Sequence, residues 1–538
     1  MKTGRELRWA VILLAGLAVL SGFSCKKEGT KAAVNSGWND WFQGRDFSEH
    51  FDIEFASIQV DSNRDYNAGD EWVKRWTDTF NVTWDLTPLT WDNWSERLRI
   101  WINSNDAPEM FVLNYNHGEA AEYVNQGLIK KMPDDWKQKY PNLAKAASDS
   151  PLGPMAEELF GGTYFFYRPV FSINRPSKKL SSHMSVYIRK DWGEAAGVVV
   201  KPAMKLSELI EYARKVKAAN PGKVGPNFYP IVVRAGDLGT WIHYNSTYAG
   251  AGTDPFYLGK DGKYHWGGAD SETLEALKLL AGAYKEGLLD PEFYTLQDPD
   301  DKGAFYLTGK SAVMSAEGMA GFMKLYSDNM KQNLNVDFAT AVEIVTVLGE
   351  DGYTHHTPAT NYWAAVAFSP SISDKKLERI LQMFEYSCTE QGQLEVRCGI
   401  EGKDWTLDSN GEIILHVPEG TNMGDLYAWH PVYGNMIILS DDFQFRNPSY
   451  PAPFRAKTLE MYQLRENIST TDTFPPEPDW NVVLHSSRAL NLAALEYPTE
   501  YSALIAKAGD IETNWRTWVN EKMVTIQPVL DELNAKIK

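Results

Sequence analysis

The chain has 538 residues, 43% of them apolar and 23% charged, with a net charge of −18. That length predicts two or more lobes around separate cores, and the composition is that of an ordinary globular protein. A uniformly acidic chain repels a phosphate backbone, which argues against nucleic acid as a partner.

The chain opens with Lys2, Arg5 and Arg8, then an uncharged apolar run from Val11 to Leu20, then Ser21-Gly22-Phe23-Ser24 and Cys25. This is the order of a secretory signal, and the run is short for a membrane-spanning helix. Residues 1–25 are therefore predicted to be an export signal and residues 26–50 a polar tether. A β-rich run follows at Phe51 to Val60. Asp70 to Phe80 reads as a helix with Trp72, Trp76 and Phe80 on one face, and Trp91 to Ile102 as another with Trp94, Leu98 and Trp101 as its stripe. Val82 to Leu86 and Met110 to Leu113 read as strands, and Glu119 to Gln126 as a helix stopped by Gly127. The alternation restarts after Arg168-Pro169. Strands are expected at Ser185 to Arg189 and Tyr229 to Val233, and helices at Leu206 to Ala219, Glu272 to Gly287, Lys375 to Thr389 and Trp518 to Ile537. Pro528 should kink or split the last of these. Alternating strands and helices predict an α/β fold with helices on the faces of parallel sheets, here in two lobes.

Signatures of catalysis are sparse. Gly309-Lys310-Ser311 resembles the end of a phosphate-binding loop, but Gly303 is one residue too far for that spacing. Asp298, Asp300 and Gly303 lack the later donors of an EF-hand, leaving at most a looser calcium site. His355 and His356 would point to opposite faces of a strand and cannot easily share a metal. No metal or cofactor is expected. Cys388 and Cys398 are close enough in sequence to pair in an oxidising compartment, but geometry decides that.

The order of several segments resembles the extracellular solute-binding protein family 1 of ABC importers, which includes maltose- and oligosaccharide-binding proteins. Trp94 to Leu128, with Asn105-Asp106-Ala107-Pro108-Glu109, is similar to the family's helix-strand-helix stretch. Ile188-Arg189-Lys190-Asp191-Trp192 and Gly287-Leu288-Leu289-Asp290-Pro291 are similar to its strand-to-helix step and its later turn. Phe305 to Met314 resembles the family's segment around Gly309-Lys310-Ser311-Ala312, and Gly399 to Trp405 a segment of its larger lipoproteins. The resemblance implies a two-lobe periplasmic-binding-protein (Venus-flytrap) fold with ligand between the lobes. It implies crossings near Arg168-Pro169, Asp298 and Pro358. The N-terminal lobe would be residues 51–167 plus 303–357, and the C-terminal lobe 168–302 plus 358–538. It further implies a carbohydrate ligand, an ABC permease partner, and lipidation at Cys25 that anchors the exported protein to the membrane. Gly22 stands where such signals usually carry Leu. Domain closure around ligand works in a monomer. The alternatives are a surface enzyme acting on polysaccharide and a binder of peptide or another small solute.

A sugar presents hydroxyls and an apolar face, so its site needs aromatic platforms and hydrogen-bonding groups. Open α/β sheets bind ligands at the carboxyl ends of their strands. This rule selects Asn114, Tyr115, Asn116 and His117 after the third strand; Arg234, Asp237 and Trp241 after Val233; and Glu317 after Met314. Asn361, Tyr362 and Trp363 lie near the expected last crossing. The competing reading makes Tyr115 and Trp241 core residues and Arg234 with Asp237 a structural ion pair.

Overall fold

The computed structural model describes residues 41–538 apart from 67–68, 149–151, 170–183, 251–254, 297–298, 356–361, 419–420, 422, 437–449, 471, 474–478, 480–481, 483–496 and 538. The export signal, Cys25 and most of the predicted tether lie outside the described residues. The end of that tether is not a spacer. Trp41, Phe42 and Phe47 pack on the first core, with Trp41 5.1 Å from the Tyr386 ring and Phe42 5.3 Å from Phe80.

Strands are labelled β1 Phe51–Ser57, β2 Val82–Pro88, β3 Met110–Leu113, β4 Phe166–Pro169, β5 Met184–Arg189, β6 Ala203–Lys205 and β7 Ile231–Val232. They continue as β8 Phe256–Leu258, β9 Tyr264–Trp266, β10 Val313–Glu317, β11 Val342–Leu348, β12 Tyr362–Phe368, β13 Trp405–Leu407 and β14 Ile413–Leu415. Two five-stranded sheets organise the chain, in the orders β2-β1-β3-β12-β4 and β6-β11-β5-β10-β7. β8-β9 and β13-β14 are small hairpins. The alternation predicted parallel sheets, but neither large sheet is all parallel. β12 runs antiparallel to both β3 and β4, and β5 runs antiparallel to both β10 and β11.

The sheets overturn part of the predicted lobe division. β10 and β11 fall in segment 303–357, assigned above to the N-terminal lobe, but they bond to β5, β6 and β7 in the second sheet. β12, assigned to the C-terminal lobe, is inserted in the first sheet. Residues 374–436 follow β12, for Leu377, Ile380, Phe384 and Tyr433 are buried in the first core. The last part, from about 450, returns to the second lobe through Met461, Trp515 and Ile526. The crossing expected near Asp298 does not separate lobes among the described residues, since Phe293 before it and Tyr306 after it both pack in the second lobe. The chain passes between lobes from Pro169 to Met184, from His355 to Tyr362 and from Met436 to Tyr450.

Local chemistry explains the elements that match the sequence pattern. Helix Glu71–Phe80 starts where the Asp70 carboxylate accepts from the Val73 N–H, and it buries Trp72, Trp76 and Phe80 completely. In helix Trp94–Ser104 the buried stripe is Trp94, Leu98 and Ile102 at a spacing of four, while Trp101 is only half-buried under the Arg97 guanidinium. Helix Ile511–Ala535 runs unbroken through Pro528. The carbonyl that loses its partner belongs to Val524, which is 76% exposed, so water can satisfy it. Cys388 and Cys398 are free thiols.

Candidate functional site

The topology fixes which strand ends face the opposite lobe. The first crossing leaves the carboxyl end of β4 and enters the amino end of the reversed strand β5. The second leaves the hairpin after β11 and enters the amino end of the reversed strand β12. The carboxyl ends of β1, β2 and β3 therefore point toward the second lobe, and those of β6, β7 and β10 point back. A ligand held between these rims touches both lobes.

The predicted residues divide on this frame. Asn114 is exposed just past β3, with its amide 3.5 Å from the Ser95 hydroxyl. Tyr115 is a packing residue rather than an open platform. It is 7% exposed and lies edge-on to Phe165 at 5.2 Å and Tyr167 at 4.8 Å. Its hydroxyl accepts from Tyr167 at 3.1 Å, and burial raises its pKa far above the phenol range. Asn116 caps helix His117–Asn125, accepting from the Gly118 N–H at 2.9 Å. The His117 side chain lies outside the described residues.

In the second lobe, Trp241 is fully buried, edge-on to Tyr244 at 5.9 Å, and belongs to the core. Arg234 and Asp237 form an ion pair of 3.0 Å, and Lys302 approaches the other Asp237 oxygen at 3.1 Å. Asp237 and Lys302 are buried, and Arg234, with 21% of its side chain exposed, lies nearest the rim. Two cations share one carboxylate, which explains why charged groups can be buried here. Glu317 ends β10 half-buried, and its carboxylate accepts from the Tyr326 hydroxyl at 3.3 Å. Asn361 lies outside the described residues, as do the side chains of Tyr362 and Trp363, although the Tyr362 backbone pairs with Pro169. Trp429, in the C-terminal part, is 7% exposed and donates its indole N–H to the Tyr66 carbonyl.

Two aromatics that the sequence reading passed over lie on these rims. Trp91, three residues beyond β2, is 64% exposed and stands edge-on to Trp94 at 5.8 Å. The spacing predicts it as the start of a helix, but the helix begins at Trp94. Phe322 is partly exposed in the first turn of helix Ala320–Leu334, just past Glu317. Applying the strand-end rule to β2 as well would have found Trp91, and following the chain five residues past Glu317 would have found Phe322. Chemistry of other kinds is weak. Asp300 and Gly303 are part of helix Pro299–Tyr306 rather than a loop, and no group of three metal-binding side chains occurs among the described residues. His355 is bound to Asp351 at 3.0 Å and Thr247 at 3.1 Å. A cavity of about 620 Å³ lies at the β7 edge between Pro226, Asp290, Leu296 and Phe305, walled by the second lobe alone.

The model of one family, bacterial extracellular solute-binding protein, matches residues 61–371, more than half of the chain. The chain belongs to that family. No curated protein sequence matches it. Solved structures of solute-binding proteins share its fold over almost their whole length. A Streptococcus pneumoniae ABC-transporter substrate-binding protein in complex with kestose is 16% identical, with a TM-score of 0.68 over 90% of this chain and 98% of that one. An alginate-binding protein is 13% identical, with a TM-score of 0.67 over 91% and 98%. An HMO-binding solute-binding protein from Bifidobacterium longum infantis is 14% identical, with a TM-score of 0.61 over 91% and 98%. The two-lobe architecture of this solute-binding protein is thus shown both by its own topology and by these likenesses.

Proposed function

We propose that this solute-binding protein is the exported, lipid-anchored capture component of an ABC importer, and that it closes its lobes around an oligosaccharide and delivers it to the permease. The observation that carries this reading is the pair of facing sheet rims joined by three crossings, with Trp91 exposed on one of them. An exposed indole costs solvation unless it meets an apolar face, and the C–H face of a sugar ring is such a partner. Asn114 and Arg234 on the two rims supply hydrogen bonds to hydroxyls. The comparisons add support, since the similar structures carry kestose, alginate-binding and HMO-binding descriptions. Cys25, after a charged start and an apolar run, is the position for acylation. Closure would report the loaded state to the permease, and a monomer suffices for it.

The test is a thermal-shift panel of mono- and oligosaccharides on residues 26–538, with short peptides as controls. A ligand of the native state raises the melting temperature. A shift with one glycan class, recovered unchanged, supports capture. A glycan that is cleaved moves the protein to the enzymes, and a shift with peptides alone removes the sugar.

A further inference from the structure

We propose that the second lobe carries a separate binding site at the β7 edge, which takes a short peptide with free termini and apolar side chains, of the size of a dipeptide. The proposal goes beyond the capture reading and stands on residues of the second lobe alone.

Two of the glycine turns singled out in the sequence meet at this cavity. Helix Ser271–Lys285 is closed by Gly287, whose φ of 67° lets its N–H reach the Tyr284 carbonyl at 2.9 Å while the Leu288 N–H reaches that of Ala283 at 2.8 Å. The chain then runs beside β7, where the Ile231 N–H donates to the Leu288 carbonyl at 3.1 Å, and it delivers Asp290 and Glu292 to one flank of the cavity. The turn after helix Pro299–Tyr306 closes similarly at Gly309, with a φ of 74° and the Lys310 N–H on the Phe305 carbonyl at 2.9 Å. That turn feeds β10 on the opposite side of β7 and delivers Lys310 to the other flank. Between the flanks lies a floor of Ile231, Val232 and Val233, all buried. The Tyr229 and Phe305 rings wall it. The Tyr229 ring is steadied by the Lys217 ammonium, 5.6 Å from its centre, which also donates to the Gly287 carbonyl.

The charges are therefore sorted, with carboxylates on one flank, an ammonium on the other and apolar surface between. Among the described residues Lys310 and Glu292 make no ion pair, with each other or with any other side chain. Two strand spacings separate the flanks, about 10 Å. An extended dipeptide spans about 7 Å, and the Lys310 side chain covers the remainder. A free amino acid carries both charges on one carbon and cannot serve both flanks, and a neutral sugar uses neither charge. In the dipeptide the ammonium meets Asp290 and Glu292, the carboxylate meets Lys310, and the side chains lie against the floor and the rings. The volume of about 620 Å³ is in the range of small-ligand sites. Because one lobe supplies every contact, the peptide binds open and closed forms alike and favours neither.

The test is titration calorimetry of residues 26–538 with leucyl-phenylalanine, its carboxyl-terminal amide, its N-acetyl form and glycyl-glycine. The free dipeptide should bind with a Kd of about 1 mM or tighter, each single-charge form about tenfold more weakly, and glycyl-glycine not measurably. Lys310→Gln should erase the preference for the free acid over the amide, and Asp290→Asn with Glu292→Gln the preference for the free amine. Gly225 lines the cavity, and a Cβ there meets nothing within 4 Å, so Gly225→Trp fills the space without displacing backbone and should abolish binding. A wild type that gives no heat with leucyl-phenylalanine overturns the proposal, as does a folded Gly225→Trp that binds it with the wild-type Kd. Should that variant not fold, the exposed Lys310 decides, and a Lys310→Gln that still prefers the free acid overturns it equally. A wild type that binds no glycan instead overturns the capture reading, and the peptide titrations still judge the cavity.

Discussion

Glu395 has a fully buried side chain, held 3.1 Å from Arg75 and near Glu401. Burial pushes its pKa up to about 7, only partly opposed by Arg75. A carboxyl raised in the fold binds its proton more tightly there than in the unfolded chain. Its stabilising contribution is complete below the ordinary value of 4.5 and is lost as pH rises through 7, roughly 3 kcal/mol in all. Glu395→Gln should therefore melt higher than the wild type at pH 8, with most of the gap gone by about pH 5, as read by calorimetry. His243 and His430 act oppositely. Burial lowers both to about 4, so the stability they retain above the ordinary 6.5 is lost as pH falls toward 4. At the rim, Trp91→Ala should weaken glycan binding about tenfold while leaving the melting temperature nearly unchanged, since an exposed ring contributes stacking rather than core packing. Titration calorimetry on the wild type and the variant checks both halves. Trp241→Ala, by contrast, empties a core site and should cost about 3–5 kcal/mol in urea unfolding.

Helices were more legible than sheets. Helix Leu206–Ala219 matches its predicted bounds, because its buried face repeats at helical spacing and Pro221-Gly222 follow at once. Caps explain the starts. The Asp70 carboxylate holds both the Val73 N–H at 2.9 Å and the Trp429 N–H at 3.1 Å. Asp70→Ala should cost about 1–2 kcal/mol in urea unfolding, more than an ordinary exposed cap, because a link to residue 429 goes with it. Strand direction and sheet membership were not legible. Val313–Glu317 and Val342–Leu348 are short apolar runs that either sheet could accept, and nothing local marks β5 and β12 as reversed. The candidate site was half legible for a related reason. The strand-end rule located the rims, but Tyr115 and Trp241 turn inward while Trp91 turns out, a choice made by neighbours distant in sequence such as Tyr167.

At the scale of the molecule, capture requires the two rims to approach, and small-angle scattering should show a smaller radius of gyration with saturating glycan than without it. An unchanged radius with demonstrated binding would place the ligand within one lobe, where the cavity of about 620 Å³ at the β7 edge is available. The order of the chain through the lobes has a further consequence, for biosynthesis. β12 is inserted in the first sheet between β3 and β4, yet it follows them by about 190–250 residues, and Tyr433 later still completes the core beside Trp72 and Trp76. A chain threaded through an export channel amino end first cannot finish its first lobe until residues near 436 have emerged. Until then β3 and β4 lack the strand that joins them, so the fold's own wiring delays completion of its first half and keeps the chain loose enough to be threaded.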